Sequence, residues 1–426
     1  MKPITFLALL VALAMAQHWD IEKVDSAGWG AAVDMRWHPD GRLFLCYSAT
    51  SGIIRLASKD SIWSYEDLPQ WYPTLSGSQG FDIDRRGRIG VSYASTDNHH
   101  RYALKTDTGW TDVPTPFNEI PPHYPYLTTL DTAGAPTITV QTGDVFELAC
   151  LRDTTWVPRT LMSGVSDYEN DFHCCDLGPT AEGVVWGVFT HFMYFPLCYM
   201  SGMDLYSFQV RDSEVAVVLV RDNPWGIGAA SGCVDRQGSV HSCYCYWPTE
   251  LCLDHTAIDT PIVNLTAVKF DSRDRPQIAY VPSAGGLLYR YLEVGVWHIF
   301  DLQVTGVTAL SLIIDKQSQP FVAYTTSQGV FLAHGVDVVG QSEEQREPSV
   351  LGSWPRAALV RNVLDLPVSP RPVRAALFDM TGRRVADLRS GANDVSGLAP
   401  GMYFVREETQ ASSHKLQAVQ KVVITR

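Results

Sequence analysis

The side chains with the most chemical potential are aromatic, acidic and imidazole groups gathered in short segments between runs of β-type sequence. They are Trp71 with Tyr72, Asp97 to His100 with the adjacent His99 and His100, His123 with Tyr124, Asp167 to Asp176 with Tyr168, Asp171 and His173, and Trp225. Exposed rings stack on the apolar faces of sugars, and carboxylates accept hydroxyl hydrogen bonds or ligate hard cations, so the mixture points to glycan recognition. In the densest stretch Asp167, Glu169 and Asp171 alternate and could offer oxygens to calcium from one side. The glycine and distal glutamate of a calcium loop are absent there, so the first reading of this stretch is a solvated acidic loop with no cofactor. Adjacent histidines in a loop point apart, which makes His99 and His100 surface groups before it makes them a metal or acid–base pair.

No catalytic constellation stands out, and no catalytic residue is assigned. HExxH, GxSxG and P-loop patterns are missing, and the glycine pairs Gly28/Gly30 and Gly226/Gly228 lack a dinucleotide fingerprint around them. Two carboxylates about 5 to 10 Å apart would suit a glycosidase, but the 40 acidic residues between Gln17 and Ser349 supply such a pair in any fold. The expectation is a non-catalytic module that binds a carbohydrate or a protein. A polysaccharide-acting hydrolase or lyase and a structural surface component are the alternatives.

The elements that position these groups are β-strands. Of 426 residues, 46% are hydrophobic and 19% charged, and 32 Gly, 25 Pro, 18 Tyr and 12 Trp favour strands joined by tight turns. Charge divides the chain: Gln17 to Ser349 carries 21 Lys and Arg against 40 Asp and Glu, whereas Val350 to Arg426 carries 11 against 6. An acidic body repels nucleic acid and anionic membrane surfaces. The start, Met1-Lys2, an apolar run from Ile4 to Ala14 and Ala14-Met15-Ala16, has the layout of a signal peptide over residues 1–16. Export as a chain without a membrane span follows, with the mature protein starting at Gln17. Of nine cysteines, Cys174, Cys175, Cys198, Cys233, Cys245 and Cys252 cluster in the middle of the chain, leaving room for one or two disulfides there. Cys46 and Cys243, however, occupy a slot where other repeats have Ser92, Ala279 and Ala323, so that slot asks for a small buried residue. The spacing around Cys174-Cys175 and Cys243-x-Cys245 lacks zinc knuckles.

One phrase recurs: a turn, a β-run ending in a small residue and Tyr, a second β-run, then a turn and Trp. Clear copies are Asp40 to Tyr47, Asp84 to Tyr93, Asp271 to Tyr280 and Asp315 to Tyr324, with weaker ones from Asp131, Asp176 and Asp235. Marking the turns at Gly41, Gly87, Gly134, Gly183, Gly238, Asp274 and Ser318 gives seven units of about four strands. Trp63, Trp110, Trp156 and Trp297 follow their marks by 22 or 23 residues and so begin fourth strands. The seventh unit lacks its Trp-led strand, and Trp19 to Val24 reads like Trp297 to Leu302. The predicted fold is all-β: a seven-bladed β-propeller over residues 17–340, closed by the N-terminal strand, followed by a small C-terminal β-sandwich. In that register the loops between second and third strands and between blades converge at one end, where the aromatic and acidic candidates fall.

The Arg275-Pro-Gln-Ile-Ala-Tyr280 and Gly286-Leu-Leu-Tyr289 text resembles a repeat of secreted bacterial β-propellers, which implies fold and no activity. After a linker at 341–349, residues 350–426 contain Leu377-Phe-Asp379-Met-Thr381-Gly382-Arg383-Arg-Val385, Gly397-Leu-Ala-Pro400-Gly401-Met-Tyr403 and Lys421-Val-Val-Ile424. In order, these resemble the motifs of the C-terminal sorting domain of the type IX secretion system. The resemblance implies a partner in that machinery and delivery to the outside of a two-membrane bacterium. Thr381-Gly382 and Pro400-Gly401 are the expected hairpin turns.

Overall fold

The computed structural model describes most of residues 18–339 and, in the C-terminal unit, residues 358–360, 363–366, 374–379, 383–389, 391–399, 401–408 and 419–424. Within the propeller, segments 50–52, 69–78, 95–99, 107–108, 118–126, 165–168, 195–200, 212–213, 223–226, 247–249 and 261–262 and residues 116, 132 and 181 lie outside the description. Residues 1–17, which include the segment read from the sequence as a signal peptide, lie outside it too. The chain divides into two units, Met1–Gly340 and Gln341–Arg426.

The first unit is seven four-stranded antiparallel sheets. The first contains β2 (Gly28–Trp37), β3 (Leu43–Ala49), β4 (Ile54–Lys59) and β5 (Trp63–Asp67), and the second β6 (Gln79–Ile83), β7 (Ile89–Ala94), β8 (His100–Thr106) and β9 (Gly109–Pro114). The third contains β10 (Thr128–Leu130), β11 (Pro136–Thr142), β12 (Val145–Arg152) and β13 (Thr155–Ser163), and the fourth β14 (Glu169–Pro179), β15 (Val185–Tyr194), β16 (Ser201–Arg211) and β17 (Glu214–Arg221). The fifth contains β18 (Ile227–Val234), β19 (Val240–Tyr246), β20 (Glu250–Leu253) and β21 (Thr256–Asp259), and the sixth β22 (Val263–Phe270), β23 (Pro276–Pro282), β24 (Leu288–Glu293) and β25 (Val296–Asp301). The seventh combines β26 (Ala309–Ile314), β27 (Pro320–Thr326) and β28 (Gly329–Val336) with β1 (His18–Asp25) from the start of the chain.

The turn between first and second strands is one structure repeated in all seven blades. Its first residue is His38, Asp84, Asp131, Thr180, Asp235, Asp271 or Asp315, whose N–H donates four residues ahead and whose C=O accepts three residues ahead, at 2.7–3.1 Å. In five copies the Asp carboxylate also accepts the N–H groups two and four residues on, as Asp84 does from Arg86 and Arg88 at 2.8 Å each. The fourth residue has positive φ in every copy, from 57° at Asp274 to 92° at Gly41. These are the seven positions marked in the sequence. At Gly87 and Gly134 glycine is also forced by packing, since an added Cβ would fall 2.3 Å from His38 Nε2 and 1.5 Å from Arg88 Nη2. Neighbouring turns are joined by such bonds as Arg88 Nη2 to Ala133 O at 2.7 Å and Gln277 Nε2 to Ser318 O at 3.0 Å.

At two seams the Tyr that ends the phrase is buried between blades and its hydroxyl clasps the blade before. Tyr280 donates to Asp259 at 2.6 Å, and Arg290 pairs with the same carboxylate at 2.7 Å. At the closing seam Tyr47 donates to Asp25 at 2.7 Å and Arg55 pairs with it at 2.9 Å. β1 thus pairs with β28 from His18↔Val336 onward and is clasped by the first blade as any outer strand would be. Gly329, at φ +125°, lies where a Cβ would meet Asp25 O at 2.1 Å, so closure requires a glycine there. Trp63, Trp110, Trp156 and Trp297 fall at the start of fourth strands as expected.

Cys46, Ser92, Cys243, Ala279 and Ala323 are each fully buried, so the slot selects for size. The room left for disulfides is not used among the described residues: eight cysteines are free thiols, seven of them buried. Burial raises the Cys46, Cys174 and Cys233 thiols well above their usual range, which keeps them protonated.

The second unit has a five-stranded sheet of β29 (Ala358–Val360), β31 (Arg374–Asp379), β32 (Arg384–Arg389), β34 (Gly401–Glu408) and β35 (Val419–Ile424), and a pair of β30 (Val363–Leu366) with β33 (Gly391–Asp394). β31 and β32 form the expected hairpin, closed by Asp379 N–H to Arg383 O at 2.9 Å. Pro400-Gly401 does not make a hairpin. The segment before it carries the chain from β33 in the small sheet to β34 in the large one, where β34 pairs with β31 and β35.

Candidate functional site

The loop-end candidates fall largely outside the described residues: Trp71, Tyr72, His99, His123, Tyr124, Asp167, Tyr168 and Trp225 are all in undescribed segments. His100 is not a surface group. It opens β8 at 1% exposure, edge-on to Phe117 at 6.4 Å, and burial pushes its pKa down to about 3, so the ring stays neutral. Glu169 opens β14, Asp171 lies two residues on, and His173, two further, has solvent access. Among the described residues no three acidic, His or Cys side chains converge as a metal site.

Two cavities can be described in full from the residues upward. The first lies on the propeller axis, about 330 Å³, and all seven innermost strands line it. Its charged groups satisfy one another. Arg36 pairs with Asp34 at 2.5 Å and with Asp82 at 3.3 Å, and Lys269 pairs with Asp176 at 3.1 Å. Asp82 also accepts from Thr129 Oγ1 at 2.9 Å and Leu130 N–H at 2.7 Å, and Asp34 from Ser311 Oγ at 3.2 Å. Burial opposes the Arg36 charge, but Asp34, then Asp82 and Asp176, outweigh it and raise its pKa. The one arginine of this cavity is thus committed, and a cluster of guanidinium groups for a substrate carboxylate is absent among the described residues.

The second cavity is an open groove of about 500 Å³ at the seam where β1 joins the ring, lined by Asp20, Ile21, Glu22, Trp37, Lys59, Asp60, Phe321 and His334 among others. Trp37 ends β2 just before the first turn and is 36% exposed, edge-on to Phe321 at 5.2 Å and 84°. Phe321 and His334 are cross-strand partners in β27 and β28 and stack at 4.0 Å and 14°. Burial lowers the His334 pKa, so its ring is neutral at neutral pH and can both donate and accept. Lys59 is taken up by Glu22 and lies 5.6 Å from the Trp63 ring, Asp20 lies 3.3 Å from His18 Nε2, and Asp60 adds a further carboxylate, so the lining carries three carboxylates against one lysine. The groove therefore joins a stepped aromatic surface to carboxylates and a neutral imidazole. Its walls come from both ends of the chain.

None of the sequence candidates lines this groove, which lies at the turn end of the ring. The available signal was Trp37-His38-Pro39-Asp40, where the turn begins with His instead of Asp, preceded by Trp where other blades have residues such as Ile83, Leu130 and Ile314.

Solved structures share this architecture. A polysaccharide lyase of family PL25, an ulvan lyase, superposes with a TM-score of 0.52 at 12% identity, over 73% of this chain and 94% of that one. The fungal lectin of Aleuria aurantia, a six-bladed propeller with a fucose recognition mode, gives 0.40 at 12% over 65% and 96%. The microbial sialidase Hz136 gives 0.41 at 12% over 73% and 68%. The likeness to the ulvan lyase establishes the propeller fold. No protein-family model matches the chain, and no curated protein sequence does.

Proposed function

We propose that this protein is an exported, extracellular or cell-surface propeller that binds a glycan without cleaving it, and that the C-terminal unit is its sorting signal for the type IX secretion machinery. The observation that carries the binding reading is the Trp37–Phe321–His334 surface, open to solvent and flanked by Asp20 and Asp60. Stacked rings take the C–H face of a sugar, and carboxylates and a neutral imidazole accept and donate to its hydroxyls. The net negative lining of the groove, Asp20, Glu22 and Asp60 against Lys59, favours neutral or amino sugars and repels sulfated or uronate polymers. In this respect the ligand differs in kind from the -[GlcA(1-4)Rha3S]- bound to the ulvan lyase in one of its structures. The export reading is supported by the residue 1–16 layout and the three tail motifs.

A glycan array probed with the full chain tests the binding reading. Signal on neutral or amino sugars that falls at least tenfold in Trp37→Ala supports it. Signal confined to anionic polymers, or release of oligosaccharide products, replaces it. Deleting residues 376–426 tests export: the protein should then accumulate in the periplasm, and normal secretion would remove the sorting assignment.

A further inference from the structure

Each blade of a propeller ends in an outer strand with one unpaired side, and six of the seven here carry groups that discourage pairing. Glu66 is in β5, Pro114 ends β9, Pro158 interrupts β13, β21 is four residues long, His298 breaks the apolar run of β25, and Lys23 is in β1. β17 is built differently. It reads Glu214-Val-Ala-Val-Val-Leu-Val-Arg221, six apolar residues between two opposite charges, with Val215, Val218 and Leu219 exposed by 36%, 60% and 50%. A long apolar edge of this kind is a template for another strand.

The charges at its ends say which strand. In the ladder with β16, Arg221 pairs with Leu205 and Leu219 with Tyr206, so Val220 is the extra residue of a bulge. That bulge returns Arg221 to the face of the sheet that Glu214 occupies. A second copy of β17 running antiparallel about Val217 therefore brings each Glu214 opposite the other copy's Arg221, with Val215 opposite Leu219. Neither Glu214 nor Arg221 forms an ion pair among the described residues, and the Arg221 guanidinium carbon lies 4.4 Å from the centroid of the Tyr246 ring. We infer that β17 is the interface of a two-fold homodimer, formed by edge-to-edge pairing of the fourth blades of two chains.

The apolar side chains supply the affinity and the two exposed ion pairs select the register, since such pairs are individually weak. A strand of eight residues is about 27 Å long, which puts the contact at the small end of stable interfaces and makes the dimer dissociate on dilution. Because the contact is isologous, assembly stops at two.

Sedimentation velocity of the full chain over a hundredfold concentration range tests this. A monomer–dimer equilibrium is expected, lost in Val218→Lys/Leu219→Lys while the melting temperature is held, because both positions are exposed. Glu214→Arg should weaken the dimer at least tenfold, and Glu214→Arg/Arg221→Glu should restore it. A wild-type monomer at every concentration would overturn the inference. So would a dimer indifferent to these variants, a ladder of larger species, or pairing seen only with a different protein.

Discussion

The axial cavity and the seam groove draw on similar side chains and use them in opposite ways. On the axis, Asp34, Asp82 and Asp176 are matched by Arg36 and Lys269, and hydroxyls from neighbouring blades complete the carboxylates. At the seam, Asp20 and Asp60 face a half-open aromatic surface whose lining lysine, Lys59, is already taken by Glu22. Charge consumed internally fixes the positions of the blades, while rings and carboxylates left facing solvent are what a ligand can use. The difference teaches where to look for function in a ring whose geometric centre is the obvious place.

The largest effect should come from deleting residues 18–25. β1 forms one wall of the groove and none of the axial lining, yet it also completes the seventh blade. Loss of the cooperative melting transition is expected, and a truncated chain that melts like the intact one would show that closure is not what builds the seam.

Arg36→Met separates the cavities next. It strands Asp34 and Asp82 without their cation and should cost roughly 2 kcal/mol, less than for a fully buried pair because 26% of the side chain stays exposed. Denaturant unfolding measures this, and glycan affinity should not change. An affinity loss without a stability loss would move the site to the axis.

Acid titration sharpens the picture, because the axial arginine keeps its proton throughout. His100 has its folded-state pKa depressed to about 3, below the value of about 6.5 in an unfolded chain. Its contribution is fully present above the unfolded value and is lost as pH falls, since the unfolded chain then binds a proton that the native ring refuses. Stability should fall by about 1.4 kcal/mol per pH unit below roughly 6 from this residue, and His100→Leu should remove that slope. A flat profile in the wild type would place the ring in contact with solvent.

The propeller was legible because its constraints are local and repeated. A positive-φ fourth turn residue leaves Gly, Asp or Ser six residues before a Tyr in five of the seven copies, and Trp19 to Val24 is a displaced copy of an outer strand. The tail hairpin at Asp379 to Arg383 was legible for the same reason. The groove was not, because Trp37 and Phe321 have no relation in sequence until the ring closes and sets them 5.2 Å apart. His100 was misread because the loop before it ends one residue earlier than the paired histidines suggested, and the first residue of β8 points into the core.

The smallest effect on stability, and the most informative one, is expected at Trp37. Titration calorimetry with a glycan hit should compare the wild type with Trp37→Ala in the groove and Ser231→Ala on the axis, where the serine hydroxyl lines the cavity and is buried without a hydrogen-bond partner among the described residues. The account predicts at least a tenfold loss of affinity, about 1.4 kcal/mol, for Trp37→Ala and wild-type affinity for Ser231→Ala. Unchanged binding by Trp37→Ala with a loss in Ser231→Ala would contradict it.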